Sequence, residues 1–248
     1  MTQASVSARE QRRAQLAANL AQVRQRISDA CVAAGRDPAE VTMIAVTKTY
    51  PASDVVLLAQ LGVTEVGENR DQEAAPKAAE VAGAGAAVRW HFVGQLQRNK
   101  CRSVVRYADV VHSVDSVRLA TALGRAAAAG RDRPLDVLVQ VSIDGAPGRG
   151  GALPESADAD VGLLPVAAAV ASQPALRLTG VMAVAPLDWD PDRAFDRLAA
   201  VVQRVRAEHP EATEVSAGMS GDLESAIRHG ATQVRVGSAL LGMRSPLR

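Results

Sequence analysis

Met43-Ile-Ala-Val-Thr-Lys-Thr-Tyr-Pro51 is a short apolar run, strand-like by Ile44 and Val46, that ends in a lysine and is closed by a proline. Residues two apart share a face of a strand, so Lys48 is placed with Ile44 and Val46. An ammonium group is almost never fully buried without a partner. Two readings stay open at this point. The plain one is a lysine at a strand end, its stem packed and its head in water. The chemical one is a desolvated amine with a lowered pKa, poised to form a Schiff base with an aldehyde.

Outward from this stretch the chain alternates. Upstream, Leu16, Leu20, Val23, Ile27 and Cys31 make one apolar helical face within 7–34, ended by Gly35 and Pro38. Downstream, a helix over 52–61 precedes a strand over Thr64–Gly67 and a helix over 71–82. Strands follow at Val88–Val93, Asp109–Ser113, Leu135–Val141, Leu176–Met182, Glu214–Ser216 and Gln233–Val236. Helices are expected at 98–107, 116–129, 191–208 and 222–229. Leu135–Val141 is nearly continuous Val and Leu, as in a strand buried on both faces. The loop Asp144-Gly-Ala-Pro-Gly-Arg-Gly-Gly151 reads as mobile.

Eight strands alternating with helices in 248 residues, without a compositional break, predict an α/β fold: one (β/α)8 TIM barrel with an extra N-terminal helix. The expected organisation is a single domain over 1–248, with 1–36 as a helical extension. An open doubly wound sheet is the alternative, but Lys48-Thr-Tyr-Pro stands where its glycine fingerprint belongs. Net charge is +1 and aromatics are 2 % of the residues, which gives nucleic acid and acidic membranes no footprint. Cys31 and Cys101 have no metal-ligand spacing and read as free thiols of a reducing cytosol. The N-terminus is polar, and no apolar run approaches the roughly 20 residues that span a bilayer. The expected location is cytoplasmic.

In such a barrel the site lies at the C-terminal ends of the strands. There the sequence places Lys48, Asn69, 91–95, 112–115, Ser142, Met182, Ser216 and Arg235. His91 reads equally as a core histidine or a site residue, and His112 and Asp115 as loop and helix-cap residues. Arg235, between Val234 and Val236, is expected to face the barrel interior, where a guanidinium needs acceptors. Gly237-Ser238 then opens an apolar helix with no acid in its first turn, which suits a phosphate, helped by Ser216. The helix after Ser220 carries Asp222 and Glu224, which would repel an anion. No H-E-x-x-H or Cys/His cluster suggests a metal, and 218–222 misses the nucleophile elbow.

A lysine after strand one with a phosphate site and an arginine at strand eight resembles fold-type III pyridoxal-phosphate proteins. The chain is similar to the pyridoxal-phosphate homeostasis (YggS/PROSC-like) family, related to the alanine racemase barrel, from about Val41 to Arg244. Ile44-Ala-Val-Thr-Lys-Thr49, Gly67-Glu-Asn69, Trp90 to Lys100, His112 to Ser116, Gly180-Val-Met182, Ser216 to Ile227 and Val234 to Ser238 carry the likeness. The resemblance implies pyridoxal 5'-phosphate on Lys48 as an internal aldimine and Arg235 at the pyridine nitrogen. Ser216, Gly237 and Ser238 would hold the phosphate, with Asn69 and Met219 beside the ring. It implies no catalytic residue and no metal. Thr47, Arg70, Ser142 and Leu240-Leu241 depart from the usual Ser, Tyr, Asn and Ile-Phe.

The function so implied is cofactor storage and delivery without a defined reaction, with apo pyridoxal-phosphate enzymes as partners. An arginine at the ring nitrogen makes a weak electron sink, which agrees. The alternative is an enzyme such as an amino-acid racemase. Racemases of this fold take a tyrosine from a further domain, whereas Tyr50 and Tyr107 are the tyrosines here. A Schiff-base aldolase acting through Lys48 is a weaker third reading.

Overall fold

The computed structural model describes residues 3–146 and 149–242. Pro147 and Gly148 of the glycine-rich loop, and the last residues of the matched stretch, Met243 and Arg244, lie outside them. Eight strands close into a parallel barrel in sequence order. They are β1 (Thr42–Val46), β2 (Glu65–Glu68), β3 (Arg89–Phe92), β4 (Val110–Val114), β5 (Leu135–Val141), β6 (Leu176–Ala183), β7 (Glu214–Ser216) and β8 (Gln233–Val236). β1 pairs with both β2 and β8, which removes the open-sheet alternative.

Around the barrel run α2 (Ala52–Gln60), α3 (Asp71–Gly83), α4 (Cys101–Val104), α5 (Val117–Gly130), α6 (Leu163–Ala171), α7 (Pro191–Glu208), α8 (Leu223–Arg228) and α9 (Ser238–Leu241). α1 (Gln3–Ala33) precedes them and lays Leu16, Leu20, Val23, Ile27 and Cys31 against the β1/β8 side, all buried. Each such aliphatic side chain contributes on the order of 1.5–3 kcal/mol. α1 also holds the last helix. Asn19 donates to the Leu240 carbonyl at 2.9 Å, and Arg12 donates to Leu241 at 3.1 Å while ion-pairing with Asp54.

Two expectations change. The helix expected over 98–107 is a 3-10 turn, Arg98–Lys100, followed by the short α4. Arg131 bonds the carbonyls of Val105 and Ala108 from across the chain, satisfying them where the helix stops. α6 was not expected, because its sequence LLPVAAAVA has no polar face to mark a helical period. Its proline sits in the first turn, where a missing N–H is harmless.

The 144–151 loop is tied down at its flanks. Arg149 pairs with Asp144, Gly151 N–H donates to Asp115 at 3.4 Å, and Ala152 exchanges backbone bonds with Gln140 and Ser142. A Cβ at Gly151 would stand 2.5 Å from Ser142 N, so only glycine lets the loop close onto β5. Among the described residues no helix is long and apolar enough to cross a membrane.

Candidate functional site

Alternation along β8 decides where its arginine goes. Val234 and Val236 pack on the helices, and Arg235 between them points into the barrel, 5 % exposed. Its Nη1 donates to the Ser216 carbonyl and hydroxyl, both at 2.7 Å, and its Nη2 donates to the Ala183 carbonyl at 2.8 Å. Burial pulls the guanidinium down to about 10, with Asp222 acting against the fall, so it stays charged at neutral pH. Among the described residues no carboxylate bonds it. The neutral acceptors of β6 and β7 hold it in a fixed plane.

Lys48 lies at the same mouth but not on the strand. β1 stops at Val46, and 47–50 forms a turn in which Lys48 is exposed. Its amine makes no hydrogen bond or ion pair among the described residues. This corrects the desolvated strand-end amine, and the cause is local. The Thr47 hydroxyl donates to Glu68 at 2.6 Å, and its carbonyl accepts from Lys77 at 2.9 Å. Thr49 follows at φ 67°, a left-handed conformation that a β-branched residue adopts only under constraint. Thr47 is clamped, the chain reverses, and Lys48 is thrown to the mouth.

The clamp is itself buried. Lys77 of α3 pairs with Glu68 at 2.5 Å, the two side chains 8 % and 0 % exposed. Burial pushes the Glu68 carboxyl above its ordinary value, against the pull of Lys77 and Thr47. Its other oxygen is buried without a partner among the described residues.

Gly237 and Ser238 follow β8, and the first turn of α9 carries no acidic residue. A Cβ on Gly237 would come within 3.4 Å of the Val46 carbonyl, so β1 and the start of α9 are close neighbours. The hydroxyl at this helix start belongs to Ser220, which accepts from Ala239 N–H at 3.3 Å. Ser216 is fully buried; its hydroxyl accepts from Arg235 and lies beside His112 Nδ1. Sequence reasoning had passed over Ser220 because Asp222 and Glu224 follow it. Asp222, however, accepts from Met219 N–H at 2.6 Å and so turns back on its own loop.

Asn69, beyond β2, is half-buried; its backbone packs so closely on Gly94 that a Cβ there would fall 2.0 Å from its carbonyl oxygen. Met219 is exposed at the rim. The expected residues thus come together on the consecutive strand ends β7, β8, β1 and β2. Arg70 is exposed and pairs with Glu73, and Ser142 is buried beside Asp144.

The histidines differ from expectation. His112 is a fully buried residue of β4 inside the barrel, not a loop residue, and Ser116 rather than Asp115 caps α5. His112 Nδ1 lies 3.0 Å from Ser216 Oγ, and its Nε2 lies 2.8 Å from His91 Nδ1. His91 Nε2 lies 2.5 Å from Glu65 Oε2. Burial, with the charges of Arg235 and Arg89, holds His112 well below its ordinary pKa, so it is neutral.

Residues 12–245 match the family described as alanine racemase, N-terminal domain. A pyridoxal phosphate homeostasis protein of Mycobacterium bovis is 46 % identical, over 98 % of this chain and 99 % of its own length. The chain belongs to the pyridoxal phosphate homeostasis protein family. The member from Escherichia coli K12 is 38 % identical over 92 % of this chain and 97 % of its own length. PipY of Synechococcus elongatus, solved with PLP bound, superposes with a TM-score of 0.75 at 31 % identity, over 92 % of this chain and 100 % of that one. The family's barrel is therefore the one seen here.

Proposed function

We infer that this protein binds pyridoxal 5'-phosphate at the C-terminal mouth of the barrel and serves its storage and delivery in the cell. The residues present fit that group. Lys48 offers an amine with no competing partner, Arg235 a donor-only edge for the pyridine nitrogen, and 237–238 an acid-free helix start for the phosphate. Bound there, the cofactor supplies a reactive aldehyde conjugated to an electron-withdrawing ring. Lys48 would hold that aldehyde, and Asn69 and Met219 would flank the ring. Gly237, Ser238 and Ser220 would hold the phosphate, with Ser216 supporting the site from beneath Arg235.

One observation carries this reading: among the described residues, a lysine without a partner follows β1, and β1 pairs with β8, whose buried arginine has no carboxylate. The names of the relatives and the PLP-bound neighbour support it. Because arginine does not give up its proton, a ring nitrogen held by Arg235 would stay unprotonated and carbanion chemistry would be disfavoured. Apo pyridoxal-phosphate enzymes in the cytoplasm are the recipients this reading requires.

The test is the visible spectrum of purified protein before and after borohydride, followed by peptide mapping. A band that borohydride removes, with the label on Lys48, is expected. Label on Lys77 or Lys100 overturns the site. Holo protein incubated with single L-amino acids should show no racemisation and no keto acid. Turnover near about 10 s⁻¹, a usual enzyme rate, would replace the carrier with an enzyme.

A further inference from the structure

The barrel interior carries an unbroken chain of hydrogen bonds: Glu65, His91, His112, Ser216, Arg235. It begins at the first residue of β2, at the N-terminal end of the barrel, where the Glu65 side chain is 18 % exposed. It ends on the guanidinium at the opposite mouth. Both histidines are at most 1 % exposed, so water does not compete for the intervening bonds. Arg89, on this side of the barrel, is already bonded to Asp136, as is Arg177.

The proton sense of the chain follows from its ends. A guanidinium only donates, so Ser216 Oγ accepts from Arg235. A carboxylate only accepts, so His91 carries its proton on Nε2 and its Nδ1 accepts. His112 must then donate from Nε2, which leaves its Nδ1 to accept the Ser216 proton. Every bond then has one proton, and every donor points toward Glu65. Reversal needs one more proton and would set two donors, Arg235 and His112, against the same hydroxyl.

We propose that Glu65, His91 and His112 are positioning residues for the cofactor. The chain keeps the Ser216 hydroxyl turned away from Arg235, lone pair toward the guanidinium, and so fixes the donor edge that meets the pyridine nitrogen. It stands in for the carboxylate that Arg235 lacks: aligned dipoles carry the influence of the Glu65 charge across the barrel. The proposal rests on pyridoxal phosphate being the ligand.

Nitrogen-15 NMR of the cofactor-free protein reads the chain directly. His112 and His91 should both show protonated Nε2 and bare Nδ1. A protonated His112 Nδ1 at neutral pH overturns the proposal. The second arm is Glu65→Gln, an isosteric change at a partly exposed position. It should weaken pyridoxal phosphate binding by at least about threefold, the low end for coupled network residues. The loss should vanish for the 1-deaza analogue, whose ring has no nitrogen for Arg235 to meet. An equal loss for both ligands means general loosening and overturns the proposal, as does no loss for either. Failure of the wild-type protein to bind pyridoxal phosphate at all is a different result, and it removes the functional reading itself.

Discussion

Lys48 and Lys77 meet the same residue from two sides, and the protein treats their amines in opposite ways. Lys77 is buried, paired with Glu68, and grips the Thr47 carbonyl. Lys48, the next residue after Thr47, is exposed with an amine no partner claims. A nucleophile needs a lone pair, and an ammonium locked in a buried ion pair has none to offer. What separates the two lysines here is their partners as well as their depth.

The largest effect that could break this contrast is at Lys48. Lys48→Ala should remove the borohydride-sensitive band entirely while leaving circular dichroism and thermal unfolding near wild type, because an exposed side chain contributes little to packing. A band of undiminished intensity in that variant would mean that another amine carries the cofactor.

Lys77 should behave in the reverse manner. Lys77→Met leaves Glu68 buried and unpaired, at a cost of about 3–5 kcal/mol in urea unfolding. Converting Glu68 to Met as well should return most of that loss, since a well-packed apolar pair replaces a buried ion pair at little cost. If the double variant is as unstable as the single one, the clamp matters through Thr47 and not through the unpaired charge.

Much of this was legible in the sequence. Arg235 announces its direction by parity, because two valines flank it and a strand has two faces. The barrel follows from strands such as β5, apolar on both faces, alternating with helices. Lys48 was singled out for a partly mistaken reason. The strand parity that placed it with Ile44 and Val46 ends at Val46, and the turn depends on Glu68 and Lys77, whose roles no local pattern reveals. The histidine chain was illegible for the same cause: its bonds join residues 26, 21 and 104 positions apart, and closure of the barrel alone brings them together. Ser216 was visible as a polar strand end, but its role depends on His112 and Arg235. Ser220 was hidden by a charge argument that ignored where Asp222 turns.

A smaller effect tests the mouth that Lys48 faces. Charge-assisted hydrogen bonds contribute roughly 1.5–3 kcal/mol each, so pyridoxal, lacking phosphate, should bind at least about tenfold more weakly than pyridoxal phosphate. Ser220→Ala should weaken the phosphorylated ligand by a few-fold and leave pyridoxal unchanged, in absorbance titrations of each. Equal affinity for the two ligands would move the phosphate away from α9 and leave Lys48 without its neighbour.

The smallest effect falls on the residue between the two lysines. The Thr47 hydroxyl donates to the same Glu68 oxygen that Lys77 binds, and the Thr47 carbonyl accepts from Lys77. Thr47→Val keeps the shape and the carbonyl but withdraws one hydrogen from a fully buried carboxylate, one oxygen of which already lacks a partner. The cost should be about 1 kcal/mol or somewhat more, since the bond is to a charged group. Thr47→Ser retains the donor and should lose only the packing of a methyl, roughly 0.8 kcal/mol if that methyl is fully buried. The two variants therefore differ little in stability and are told apart by the cofactor. Only the valine loosens the clamp that sets the turn, so only it should slow the reaction of Lys48 with pyridoxal phosphate in stopped-flow absorbance. If both variants react at the wild-type rate, the turn at Thr49 does not depend on the Thr47 hydroxyl, which then serves Glu68 and nothing beyond it.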